Sequence, residues 1–152
     1  MKHIEEKDNA NLVSINFRCK NDGWIDFGMK QIDEKHKEFY ISKDKDPYML
    51  MFLRDYCLRP SCYECKAKEL KLSDITIADF WGIDNVAPEM NDGQGTSLVL
   101  VRTEKGKRLF QEINSLIKVK AVSYEEGVAR NPSEYKSVAR PPERELFFED
   151  MH

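Results

Sequence analysis

Three of the four cysteines in this chain fall close together, as Cys57-x4-Cys62-x2-Cys65. Thiolates bind soft metals and iron–sulfur clusters, and two of them three positions apart on a turn can converge on one metal or one cluster edge. The whole spacing matches the first three ligands of the plant-type ferredoxin pattern. Lys66 and Lys68 follow at once, and cations beside a thiol favour the thiolate form that binds metal. Pro60 and Ser61 help to make the turn. No cysteine follows Cys65, so a four-cysteine site within the chain needs Cys19. Strand parity puts Cys19 on the face of Val13, Ile15 and Phe17, where it reads most simply as a small buried residue. The Cys62/Cys65 pair then keeps three chemistries open. One is part of an iron–sulfur site, and another is a structural zinc site completed by His36. The last is a thioredoxin-like redox pair, which normally follows a strand, whereas this pair follows a helix and a proline turn. Against all three stands the plain alternative of ordinary thiols.

A second group lies downstream, where Asp79-Phe80-Trp81-Gly82 ends an apolar run. Ligands favour the carboxyl ends of strands in open sheets. An acid there can bond a cofactor hydroxyl or ring nitrogen, and an indole offers a face for stacking. The competing reading makes Asp79 a turn cap and Trp81 core. Gly93-Gln94-Gly95 lacks the spacing of a phosphate-binding loop.

The elements that must position these residues follow from periodicity. Val13, Ile15 and Phe17 alternate with polar residues, then Ile25, Phe27 and Met29 do the same after Asn21-Asp22-Gly23, and Glu38–Ser42 follows a polar turn. These predict an antiparallel meander. Asp46-Pro47 opens a helix with Met49, Phe52, Leu53 and Tyr56 on one face, stopped by Arg59-Pro60. Ser73–Phe80 reads as a central strand covered on both faces, and Leu98–Val101 as a second buried strand. Thr103 caps a helix with the stripe Leu109, Phe110, Ile113, Leu116 and Ile117. Lys118–Val122 predicts a further strand, Ser123 with Glu126 a capping box, and Glu145–Phe148 a segment docking through its aromatics. The predicted class is α+β (mixed α/β): an N-terminal meander plus central strands flanked by helices, as a single domain over 1–152. Segments 1–11 and 132–152 are expected to be peripheral or partly flexible.

Bulk composition narrows the function. Charged residues make up 34%, yet the formal net charge is only −3, which argues against a dedicated nucleic-acid binder. No apolar run is long enough to span a membrane and no signal peptide opens the chain. The expected location is cytoplasmic, where clustered cysteines serve metals or redox chemistry more than structural disulfides.

The segment LRPSCYECKAKELKLSDITIADFWGI, with DGQGTSLVLVRTEKGKRLF after it and INFRCKNDGW and DPYMLMFLRDY before it, resembles the C-terminal domain of the coenzyme F420 hydrogenase/dehydrogenase beta-subunit family, in its bacterial branch. The resemblance implies an electron-transfer component of an iron–sulfur flavin oxidoreductase. It implies that Cys62 and Cys65, with Cys57 as a further candidate, give a partial ligand set for a [4Fe-4S] cluster. It further implies FAD or FMN, with coenzyme F420 left open, and the strand end at Asp79, Trp81 and Gly82 is the edge expected near the flavin. The expected partners are a preceding ferredoxin-like or flavin domain or a separate subunit, and a redox partner protein. An isolated chain of this kind is expected to be nearly inactive. A non-catalytic zinc-binding or docking module of a larger assembly is the alternative.

Overall fold

Alternation of apolar and polar residues from Leu12 builds the first strand, β1 (Leu12–Cys19), which pairs antiparallel with β2 (Gly28–Asp33), itself paired with β3 (Glu38–Ser42). The computed structural model describes residues 11–21 and 23–151. The chain divides into two compact units, one of Met1–Leu58 with Arg140–His152 and one of Arg59–Ala139. The fold is of the α+β class, with short helices and two small antiparallel sheets.

The meander is the frame of the first unit. Asp22 of the expected turn lies outside the described residues, while Gly23 takes φ +106, a left-handed value that glycine adopts readily. β2 begins later than the alternation of Ile25 and Phe27 predicts. It starts at Gly28, where any Cβ would come within 2.6 Å of the Ile41 carbonyl oxygen, so the glycine permits the close approach of β3. Register shifts twice along β1, between Leu12 and Ser14 and again between Asn16, opposite Lys30, and Cys19, opposite Gly28. The extra residue on β1 before Cys19 breaks the parity that the sequence implies. Cys19 is therefore 6% exposed although Val13 and Phe17 on its expected face are open to solvent.

Asp46 caps α1 (Pro47–Leu53) as expected, its carboxylate accepting from the Met49 amide at 2.9 Å. The helix ends well before Arg59-Pro60. Asp55 takes φ +63, so the chain turns out of the helix before Tyr56, and Phe52 and Leu53 are exposed. The tail forms α6 (Arg144–Asp150), and its Phe147 ring stacks on Tyr56 at 5.5 Å. Arg144 also donates to the Leu58 carbonyl at 2.9 Å.

The second unit opens on a 3-10 turn, Pro60–Cys62, then α2 (Ala67–Leu70), β4 (Ile75–Asp79) and α3 (Ile83–Val86). β5 (Ser97–Val101), α4 (Glu104–Ile113) and α5 (Tyr124–Val128) follow. β4 and β5 form a two-stranded antiparallel ribbon from Ile75 opposite Val101 to Asp79 opposite Ser97. The expectation of a central strand covered on both faces is corrected here. Among the described residues β4 has one partner strand, and Ile77 is 69% exposed. The other face carries the core, where Phe80, Ile83, Ala87 and Leu98 meet Val86, Met90, Leu100 and Val122.

Thr103 caps α4 through the Gly106 amide, and its hydroxyl donates to Asp74 at 2.5 Å. Leu109, Ile113, Leu116 and Ile117 of the predicted stripe are exposed, while Phe110 is half-buried. Lys118–Val122 is not a strand; no strand among the described residues pairs with it. The Ser123–Glu126 capping box is formed in both directions. No helix among the described residues is long and apolar enough to cross a membrane.

Candidate functional site

Proline sets the cysteine turn. Pro60 begins the 3-10 turn, the Cys62 amide donates to the Arg59 carbonyl at 2.9 Å, and the Tyr63 amide to Pro60 at 3.2 Å. Cys62 is thus fixed by its own neighbours. Cys65 is fixed from far along the chain: its amide donates to Ser137 Oγ at 2.9 Å. Both thiols are free and half-buried. Cys57 is free and exposed, and belongs to the other unit.

Past Cys65 the basic residues bend onto a second 3-10 turn, Pro132–Glu134. Lys68 Nζ donates to the Ser133 carbonyl, and Lys71 Nζ to the Glu134 carbonyl. The Glu134 carboxylate takes both Lys71 and Arg102 at 2.6 Å, with its side chain only 8% exposed. Burial pushes the Glu134 carboxyl upward, but the hydrogen bonds and charges of Lys71 and Arg102 outweigh it, so the net shift is downward. Lys71 itself ends α2 at φ +48, a left-handed value that a lysine holds only when its surroundings require it.

The fit of a metal centre is decided by donor count. A [4Fe-4S] cluster takes four thiolates and structural zinc takes four donors. Among the described residues no three His, Cys, Asp or Glu side chains gather where they could hold a metal ion. Cys62 and Cys65, three positions apart, do not by themselves make up such a donor set.

Asp79, Trp81 and Gly82 lie at the carboxyl end of β4. The Phe80 amide donates to Thr96, and the Trp81 amide to the Asp79 carbonyl at 3.1 Å. Gly82 holds φ +86 ahead of α3, and a Cβ there would meet the Arg130 side chain at 2.7 Å. Of the aromatic pair, Phe80 is core at 5% exposure, while Trp81 is 44% exposed. The competing reading of Trp81 as core is therefore corrected: strand parity and the bend at Gly82 turn one ring inward and the next outward.

A hollow of about 610 Å³ lies elsewhere in this unit, between β5, Phe110 and the strap from Ile117 to Tyr124. Neither Cys62, Cys65, Asp79, Trp81 nor Gly82 lines it. Lys118 donates to the Glu89 carbonyl and Lys120 to its carboxylate, tying the strap to the 3-10 turn Pro88–Met90. Lys120 draws the Glu89 carboxyl below its ordinary range.

Sequence reasoning had no means of finding Ser137, Glu134 or Arg102, since their partners lie tens of residues away. Glu134 and Ser137 in a polar stretch, and Arg102 just past β5, carry no local signature.

Comparison with known proteins gives one result. No curated protein and no solved structure matches the chain significantly. The family model for the C terminus of the coenzyme F420 hydrogenase/dehydrogenase beta subunit matches residues 1–126, which include the cysteine turn, both sheets and α4. On that match, the chain belongs to the family of C-terminal regions of coenzyme F420 hydrogenase/dehydrogenase beta subunits.

Proposed function

We propose that this chain is the C-terminal portion of an electron-transferring iron–sulfur flavin oxidoreductase component, in which Cys62 and Cys65 lend two thiolates to a [4Fe-4S] cluster completed by donors from the rest of the assembly. The observation that carries this reading is the pair of free, half-buried thiols at the end of a proline-set turn and three residues on, in a chain of this family. Such a cluster supplies one-electron transfer when bound. The residues of this chain hold two sulfurs in place and limit water around them. The exposed Trp81 ring beside Asp79 and Gly82 is the surface proposed to meet the flavin.

The test is anaerobic reconstitution of the chain with iron, sulfide and excess small thiol to complete the ligand set. The expected product absorbs broadly in the visible, bleaches on reduction and is absent from a Cys62→Ser/Cys65→Ser variant. For the flavin surface, titration with FMN or FAD should quench tryptophan emission, and Trp81→Phe should remove that quenching. The isolated chain is expected to reduce electron acceptors barely at all, because its ligand set is incomplete; brisk turnover by it overturns the reading.

A second reading has its own support. The exposed stripe Leu109, Ile113 and Leu116 suits a non-catalytic docking module with a zinc-bound or bare cysteine turn. Colourless protein that binds zinc tightly in a one-to-one ratio favours it.

A further inference from the structure

We infer that Ser137 is the positioning residue of the cysteine pair: it holds the backbone of Cys65 in register with Cys62, and the turn Pro132–Glu134 anchors it for that purpose. The two thiols reach their places by different means. Cys62 sits inside a 3-10 turn closed by its own neighbours, Arg59 and Pro60. Cys65 lies beyond that turn, and its amide finds its acceptor 72 residues on, at Ser137 Oγ, 2.9 Å away. Lys68 and Lys71, on the helix that follows Cys65 and at its end, hold the carbonyls of Ser133 and Glu134. Arg102 from the end of β5 holds the Glu134 carboxylate at 2.6 Å. The segment bearing Ser137 is therefore tied both to the sheet and to the helix after Cys65, with Ser137 reaching the cysteine itself. A hydroxyl suits this task because it accepts from an amide without bringing a charge next to two thiols. Removing that acceptor leaves the Cys65 amide unpaired, and the local bond left at Cys65 is the one from the Lys68 amide to its carbonyl at 3.1 Å.

This inference takes its purpose from the proposed ligand role of the pair, but its test needs no metal. The full chain, metal-free and reduced, is alkylated with iodoacetamide, and the rate at each cysteine is followed by peptide mass spectrometry. Ser137→Ala is expected to speed alkylation of Cys65 about fivefold. Cys62 should keep its rate, and so should the buried Cys19 of the other unit. Ser137→Thr, which keeps the hydroxyl, should restore the wild-type rate at Cys65. An unchanged Cys65 rate in Ser137→Ala overturns the inference, and so does an equal acceleration at Cys62, which would mark general loosening of the unit. If Ser137→Ala is too unstable to purify, Ser137→Gly and Ser137→Val, which also lack the acceptor, give the same comparison under native conditions. Failure to take up iron or zinc sinks the ligand role and leaves this result standing; a flat alkylation pattern with normal uptake does the reverse.

Discussion

The meander unit and the unit carrying Cys62 and Cys65 both bury carboxylates, but they satisfy them over different distances along the chain. In the meander unit, buried Asp33 accepts the amides of Lys35 and Lys37, each at 2.8 Å, and buried Asp46 accepts that of Met49. Both carboxylates are met within a few residues. In the other unit, Glu134 reaches Arg102 and Lys71, 32 and 63 residues away, and Ser137 reaches Cys65. Local closure lets a segment take its shape early and alone, whereas remote closure requires the unit to be assembled first. The difference teaches that the cysteine turn is only half a local motif. The backbone at Cys62 is closed by sequence neighbours, while the Cys65 amide waits for the finished fold.

The strongest way to break this contrast is in the meander. Asp33→Ala removes the acceptor of two amides from a site that is nearly closed to water. It should cost about 3 kcal/mol, read as a fall in unfolding free energy in urea. A loss under about 1 kcal/mol would mean that water replaces the carboxylate, and that local closure is not what holds the turn from Asp33 to His36.

Glu134→Gln comes next, at about 2 kcal/mol, since Lys71 and Arg102 lose a shared anion while staying partly hydrated. Its pH dependence sharpens the point. The Glu134 carboxyl titrates lower in the folded chain than in the unfolded one, so its contribution is complete above the ordinary glutamate range, roughly pH 4–5. It falls away as the pH drops through the lower folded value. Wild type should lose stability more steeply than Glu134→Gln below about pH 4.5, and parallel curves would remove Glu134 from the account.

The same division explains what is legible in the sequence alone. The bounds of β3 and the caps Asp46, Thr103 and Ser123 with Glu126 are written in short patterns, because each is closed within a few residues. The meander is legible for the same reason. Its bulge near Cys19 is not, because parity carries no mark where a residue is inserted. The end of α1 at Leu53 escapes the sequence because nothing about Asp55 announces a left-handed conformation, whereas a proline at position 60 invites a later stop. Ser73–Phe80 reads as central because apolar content signals burial without saying which partner strand supplies it, and a two-stranded ribbon leaves Ile77 open. The extended strap Lys118–Val122 has a strand's alternation and no partner to pair with among the described residues. For the candidate site, the Cys62–Cys65 turn follows from Pro60. The count of converging ligands and the role proposed for Ser137 are properties of the assembled unit, so no window of sequence holds them.

The smallest effect asks whether the contrast belongs to the units or to the reach of each contact. Ser123 and Glu126 form a local capping box inside the remotely closed unit: the Glu126 amide donates to Ser123 Oγ at 3.2 Å, and the Ser123 amide to Glu126 Oε2 at 2.9 Å. The Ser123 amide and hydroxyl hold the Glu126 carboxyl below its ordinary range. If reach is what matters, Ser123→Ala should cost about 1 kcal/mol, as an ordinary exposed cap does, and Ser123→Thr should cost only a few tenths. Alkylation at Cys65 should be unchanged in both variants, because neither breaks a bond to Ser133, Glu134 or Ser137. A rise at Cys65 with Cys62 steady would show that α5 feeds into the same restraint. The boundary between local and remote closure would then lie inside the helix that precedes the Pro132 turn.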